Sequence, residues 1–285
     1  MAEAMADDRA VRVGCVSYIN AKPLIDGLDG CDLELGVPSL WADRLVGGDV
    51  DVALCPVVDY FTAADRLRIL PVGMIGCEGP TLTVKVFSRV PIDRIGTLAL
   101  DGDSHTSVVL VRLLLEALYG VTPERLPLDR RDEADAVLLI GDKVITAAPD
   151  RVGYPFEMDL GEAWHRMTAL PFVFALWMVR ADAAAGQVSV AGRALEARRE
   201  SNAGRIGAIA GRYAAGHGWP VELAEEYMRR VLKYAVDERA LLAVRRFAEL
   251  AGERGLLPGG WGERLPLDVV REAEWRAVDG GRGVA

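Results

Sequence analysis

The stretch RIGTLALDGDSHTSVVLVRLLLEALYG, residues 94–120, decides the fold. Its first part is a short apolar run that ends in Asp-Gly-Asp, which reads as a strand and its exit loop. From His105 it turns into a long apolar-rich helix, closed by Gly120 just past its end. Strand, polar turn and helix in this order form the building unit of an α/β protein. The same order recurs outward in both directions. GDVDVALCPV (48–57) and DEADAVLLIGD (132–142) match each other loosely. Each has an acidic loop, an Asp-x-Ala step, an apolar run and an exit containing Pro or polar residues.

Upstream, VRVGCVSYI (11–19), CDLELGV (31–37) and VDVALCPVV (50–58) read as strands. AKPLIDGL (21–28) is a short helix or turn, and PSLWADRLVGGD (38–49) is a helix entered through Pro38. Alternation of strands and helices implies two related lobes with parallel sheets. The expected division is a first lobe of residues 1–93, completed by a largely helical 179–285, and a second α/β lobe of 94–178. In that last part 189–218 reads as one or two helices. VELAEEYMRRVLKY (221–234) reads as a helix with Tyr227, Val231 and Tyr234 on a core-facing side. A further helix starts at an Asp237 cap and ends at Gly255. The tail DGGRGVA (279–285) is expected to be unstructured.

The 285 residues carry 33 Lys and Arg against 42 Asp and Glu, a net charge of −9. That balance argues against nucleic acid and anionic membranes as partners, because both need a basic face. The opening MAEAMADDRAVRVGCVSYIN has no basic segment followed by an apolar one, so a cytoplasmic protein is expected. The run LPFVFALWMV (170–179) is too short to cross a bilayer. Cys15, Cys31, Cys55 and Cys77 form no CxxC pair and read as buried free thiols. With three histidines and no HExxH or His/Cys cluster, no metal site is expected. There is no dinucleotide fingerprint, and no cofactor is expected.

In open α/β sheets ligands bind beyond the carboxyl ends of the strands. The residues there are Ser17, Tyr18 and Asn20; Pro56; Asp103 to Ser107; and Gly141 and Asp142. GCEGPTLTVKVFSR (76–89) adds the Gly79 turn, Thr81 and Thr83. The quartet Ser104, His105, Thr106 and Ser107 has three open readings: a nucleophile and its base, a helix cap, or an anion socket. A nucleophile needs a base oriented by a carboxylate, which adjacency in sequence does not supply, and no GxSxG elbow is present. A helix N-terminus with free N–H groups and added hydroxyls suits an anion. Lys22 and Arg89 read as surface charges.

VSYINAKPL, DVALCPVVDYF, GPTLTVKVFSR, LALDGDSHTSVVLVRLLL, DAVLLIGD and DLGEAWHRMTALPFVFALW, taken in order, resemble the chorismate dehydratase family of the futalosine route to menaquinone. The resemblance covers about residues 11–180 and is weaker beyond. It implies a two-lobed, periplasmic-binding-protein-like (type II) clamshell with a helical C-terminal part. It implies a hydro-lyase that converts chorismate, a small dianionic carboxylate, to 3-[(1-carboxyvinyl)oxy]benzoate. It implies an active-site Asn20 and a catalytic hydroxyl at Thr83, where relatives commonly have Ser. It also implies a carboxylate-binding loop at Ser104, Thr106 and Ser107, with His105 replacing a frequent Arg, and a matching Gly141–Asp142 turn. Ser17, Pro56 and Gly79 complete the expected substrate contacts. Because neutral polar residues dominate these positions, the substrate's own enolpyruvyl carboxylate is the expected base. The rivals are the later lyase of the same pathway, which forms a dihydroxynaphthoate, and a non-catalytic cytosolic binder of small acids.

Overall fold

The computed structural model describes residues 10–63 and 65–276; the tail 279–285 and most of the N-terminal leader lie outside them. Its strands are β1 (Val11–Val16), β2 (Cys31–Gly36), β3 (Val52–Pro56), β4 (Leu67–Cys77), β5 (Val84–Ser88), β6 (Thr97–Leu100), β7 (Glu124–Pro127), β8 (Ala136–Ile140), β9 (Phe156–Asp159), β10 (Phe172–Arg180) and β11 (Leu232–Lys233). They form a six-stranded sheet, β11-β4-β10-β3-β1-β2, and a five-stranded sheet, β7-β6-β8-β5-β9. The architecture is the expected two-lobed α/β arrangement. The chain crosses from the first sheet to the second between β4 and β5, and returns after the helix Leu160–Thr168 into β10.

The sheets are mixed, not parallel throughout. β1 runs parallel to β2 and β3, and β6 runs parallel to β7 and β8. β10 is antiparallel to β3 and β4, and β5 is antiparallel to β8 and β9. The short edge strand β11 is antiparallel to β4 as well, while β10 and β5 stand at the two crossings, where the chain enters each sheet. They also move the division read from sequence. β5 precedes residue 94 yet belongs to the second sheet, and most of β10 precedes residue 179 yet belongs to the first. The run at 170–179 becomes β10, a central strand buried along all but its last residue. Apolar residues on both faces are what such a position requires.

Close packing fixes the layers. Trp41 is fully buried against Gly14 of β1, where an added Cβ would come within 2.3 Å of the indole. Trp164, Phe172 and Phe247 meet edge to face, with ring centroids 5.2 to 6.2 Å apart. They tie the helix Leu160–Thr168, β10 and the helix Glu238–Glu253 into one cluster. Each such pair contributes about 0.5–1.5 kcal/mol beyond burial.

The C-terminal part is helical as expected, with one interruption. Helices span Ala185–Ala203 and Ile206–Tyr213, and Asp237 caps the helix Glu238–Glu253 through Ala240 N at 2.7 Å. The expected helix 221–234 is broken. It is α-helical over Val221–Glu226, opens into a π-turn over Tyr227–Val231, and ends as β11 paired with β4.

Candidate active site

A cavity of about 510 Å³, counted to its open mouth, lies where the strand ends of the two sheets face each other. Val16, Tyr18 and Asn20 line it from the end of β1, Pro38 from after β2, and Pro56 from the end of β3. Thr81, Thr83 and Val84 come from the crossing into β5, Ile140 and Gly141 from the end of β8, and Ser104 and Ser107 from the helix His105–Tyr119. Ile75, Phe174, Ala175, Tyr227 and Leu232 close the apolar side. Among the described residues none of these lining side chains is His, Asp, Glu, Lys or Arg.

The polar groups converge on one wall. Thr83 Oγ1 lies 2.6 Å from the Tyr227 hydroxyl. The Asn20 Oδ1 atom is buried with no hydrogen-bond partner. The Asn20 backbone carbonyl accepts from Tyr234 Oη at 2.9 Å, which fixes the residue behind its side chain. The Tyr227 ring is fully buried and stacks on Trp219, with centroids 5.0 Å apart and planes 23° apart. Burial raises the Tyr227 pKa, so the phenol keeps its proton.

Thr83 is aimed by a strained loop held from below. Leu82 has φ +66°, in the left-handed region. Asp159 accepts from Thr81 N at 2.9 Å and Leu82 N at 2.8 Å. The same carboxylate caps the helix Leu160–Thr168 through Gly161 N at 3.0 Å and Glu162 N at 3.1 Å. The Thr83 carbonyl in turn accepts from Gly141 N at 2.8 Å. Gly141 itself has φ +60°, and a Cβ there would press to 3.0 Å on the Tyr18 ring.

The opposite end is the start of the helix His105–Tyr119. Ser104 caps it by accepting from Ser107 N at 3.3 Å, and Ser107 Oγ donates to Ser104 Oγ at 3.1 Å. Both hydroxyls are buried and face the cavity. The helix N-terminus therefore presents dipole and N–H groups with no acidic side chain in its first turn. Beside the mouth, Lys143 Nζ binds Asp101 at 2.8 Å and Asp103 at 2.7 Å, and Tyr18 Oη donates to Asp103 at 2.9 Å. One ammonium thus offsets about half the charge of these two carboxylates.

The cavity brings together Asn20, Pro56, Thr83, Ser104, Ser107 and Gly141 of the expected site. It does not bring in the other five. His105 turns away, with Nδ1 2.8 Å from Asp59 Oδ1 and its side chain about half exposed. Thr106 Oγ1 accepts from Val58 N at 3.2 Å and joins the two lobes outside the cavity lining. Asp142 accepts from His217 Nδ1 at 2.7 Å, Trp219 Nε1 at 2.9 Å and Ile19 N at 3.4 Å, which ties these segments together outside the lining. Ser17 donates its backbone N–H to Gly36 O at 2.9 Å beneath the site, and Gly79 is a turn with φ +98° outside the lining. Lys22 is not a surface charge. It is buried with its ammonium 5.3 Å over the Tyr213 ring, and burial lowers its pKa. Arg89 binds Asp132 O and the Tyr154 hydroxyl, away from the cavity.

Sequence reading missed Tyr227, which it placed in the core, and Asp159. The Asp159-Leu-Gly-Glu162 step carries the signature of a reciprocal helix cap and is the signal for the latter. Among the described residues no three His, Cys, Asp or Glu side chains converge to hold a metal ion, and no helix is long and apolar enough to cross a membrane.

Residues 11–253 match the profile of the menaquinone biosynthesis family. The chain belongs to that family. A chorismate dehydratase from Thermus thermophilus is 30% identical over 259 residues, covering 84% of this chain and 94% of its own. Solved structures with the same fold include the periplasmic aliphatic sulphonate binding protein SsuA from Escherichia coli, at TM-score 0.60 and 16% identity, covering 88% of this chain and 94% of that one. The Candida albicans CA3427 product, described as having the generic periplasmic binding protein fold, aligns at TM-score 0.63 and 11% identity over 92% and 96% of the two chains. The menaquinone-family chain thus has the periplasmic-binding-protein-like fold, with its strand-end cavity between the lobes.

Proposed function

We propose that the chain is a hydro-lyase that removes water from chorismate to give 3-[(1-carboxyvinyl)oxy]benzoate. The observation that carries the reading is the chemistry of the cavity wall: a free amide oxygen and a hydroxyl, with no acidic or basic side chain among the described residues that line it. The family and the chorismate dehydratase relative supply the substrate class.

Chorismate bears a ring carboxylate, an enolpyruvyl ether at C3 and a hydroxyl at C4. Its elimination breaks C3–H and C4–O; the C–H electrons become ring electrons, and the hydroxyl departs as water. The product ring is aromatic, so the step runs downhill and the protein has to orient the groups. With no protein base beside the wall, the enolpyruvyl carboxylate takes the C3 proton and passes it to the leaving oxygen. Asn20 and Thr83 hold the C4 hydroxyl so that its bond to carbon stands in the reactive direction. Such positioning contributes through geometry, and a 1 Å displacement costs about 10²-fold. The ring carboxylate lies toward Ser104 and Ser107, where the helix N-terminus offsets its charge.

The test is Asn20→Ala and Thr83→Ala, assayed for water loss from chorismate beside binding of chorismate. Losses in kcat much larger than the accompanying loss in binding support the reading. Binding of chorismate without release of water by the unaltered protein would leave a small-acid binding protein instead.

A further inference from the structure

Tyr227 reads from sequence as part of a core-facing stripe, yet its hydroxyl lies 2.6 Å from Thr83 Oγ1 on the wall that Asn20 also lines. The π-turn Tyr227–Val231 delivers it, at the point where the helix Val221–Glu226 gives way to β11. Isolated π-turns inside helices recur at functional sites because the wider turn re-aims a side chain. The ring cannot swing freely. It is fully buried and stacked on Trp219, whose indole N–H is fixed on Asp142.

The hydrogens at this wall can be counted. Tyr227 and Thr83 have one hydroxyl proton each and share one contact of 2.6 Å. Asn20 works to lower the Tyr227 pKa against the larger effect of burial, as a donor near the phenol oxygen does, and Asn20 Oδ1 has no partner. If the amide N–H points at the phenol oxygen, the phenol's one proton goes to Thr83 Oγ1. The Thr83 proton is then free toward the cleft.

We propose that Tyr227 is a positioning residue that fixes the polarity of the wall, so that Asn20 Oδ1 accepts and the Thr83 hydroxyl donates. The inference rests on the dehydratase reading for its consequence: the C4 hydroxyl donates to Asn20 and accepts from Thr83 as it leaves. It also sets specificity. A ring hydroxyl satisfies both groups at once, and a ligand lacking it leaves both unpaired.

The experiment is a double-mutant cycle of Tyr227→Phe and Thr83→Ala, with Thr83→Ser as the conservative control. Phe keeps the ring on Trp219 and removes only the hydroxyl. In chorismate turnover, Tyr227→Phe alone lowers kcat about 10- to 100-fold, less than the ~10²–10³-fold typical when a donor touching the reacting oxygen is lost. KM rises by no more than about five- to tenfold, the share of binding that the ring hydroxyl contributes, and the melting temperature stays near the parent value. On the Thr83→Ala background the same change costs less than about twofold, because residues acting as a unit are not additive. On Thr83→Ser the full effect returns. Penalties that multiply, or a Tyr227→Phe loss that tracks a fall in melting temperature, overturn the inference.

Equilibrium binding separates it from the dehydratase reading. The probes are 3-(carboxymethoxy)-4-hydroxybenzoate and 3-(carboxymethoxy)benzoate, which differ in the ring hydroxyl alone. The parent protein favours the hydroxylated probe roughly five- to tenfold, and either single variant removes that preference with no further loss in the double. If this pattern holds while chorismate is left intact, the dehydratase reading fails and the Tyr227 assignment stands. If chorismate is dehydrated but the preference survives Tyr227→Phe, the assignment fails alone.

Discussion

Replacing Asp142 by Ala separates a clamp from a catalytic base. The side chain accepts three hydrogen bonds, from His217, Trp219 and Ile19, at 2.7, 2.9 and 3.4 Å. Trp219 is buried, so its indole N–H loses its acceptor without gaining water. A stranded buried donor costs about 1–3 kcal/mol, and loss of the shorter bond to partly exposed His217 adds about 0.5–1.5 kcal/mol. The sum is about 1.5–4.5 kcal/mol. At about 2–4 °C per kcal/mol for a chain of this size class, the melting temperature drops by about 3–18 °C. Asp142→Asn keeps one acceptor oxygen for Trp219 and costs less than half as much. Circular dichroism melts at fixed pH give the stability, and chorismate turnover below the new melting temperature gives activity. Turnover falls with Asp142→Ala, because Trp219 supports the Tyr227 ring. If Asp142→Asn keeps the parent melting temperature and ligand binding but abolishes turnover, while Asn20→Ala stays active, Asp142 is the proton acceptor and the reasoning is refuted.

Three further outcomes follow from the geometry. Gly141→Ala strains a left-handed residue and presses on the Tyr18 ring; it costs about 1–2 kcal/mol in denaturant unfolding and raises KM for chorismate. Cys15, Cys55 and Cys77 are buried, and burial raises their thiol pKa values, that of Cys15 to about 12. A colorimetric disulfide reagent at pH 8 therefore titrates Cys31 alone in the folded protein and all four thiols after denaturation. The hydrogen bond to Asp59 raises the His105 pKa against the opposing effect of burial, with Asp43 adding to the rise. Stability from that pair is fully present below the ordinary His value of ~6.5 and is lost as pH rises through the raised one. His105→Gln should thus cost more at pH 6 than at pH 8 in urea midpoints. The difference stays below about 1 kcal/mol because the imidazole is half exposed; a larger loss at pH 8 contradicts the assignment.

Local pattern made much of the fold legible. The unit around residues 94–120 is β6, its exit loop and a capped helix, closed by Gly120 in the left-handed conformation. What local pattern does not carry is direction and partner. The run at 170–179 marks a buried strand, but apolar residues on both faces read the same whether neighbours are parallel or antiparallel. β5 follows a Gly-Pro turn that looks like any loop, and only its pairing with β8 and β9 moves it to the second sheet.

The site divides the same way. Ser104 and Ser107 share one side because residues three apart lie together on a helix, while His105 and Thr106 turn toward the first lobe. Adjacency in sequence concealed that split. Tyr227 fell on a regular helical stripe with Val231 and Tyr234, and the π-turn breaks the stripe's period. Asp142 stands at a strand exit like a ligand contact, and its partners His217 and Trp219 come from a distant helical segment.

The most direct measurement is to incubate the purified protein with chorismate, without added metal or nucleotide, and follow the reaction by mass and proton NMR. The account predicts a product lighter by one water, with an aromatic ring and both vinyl protons of the enolpyruvyl group. Chorismate left intact, or a product that has lost pyruvate, would contradict it.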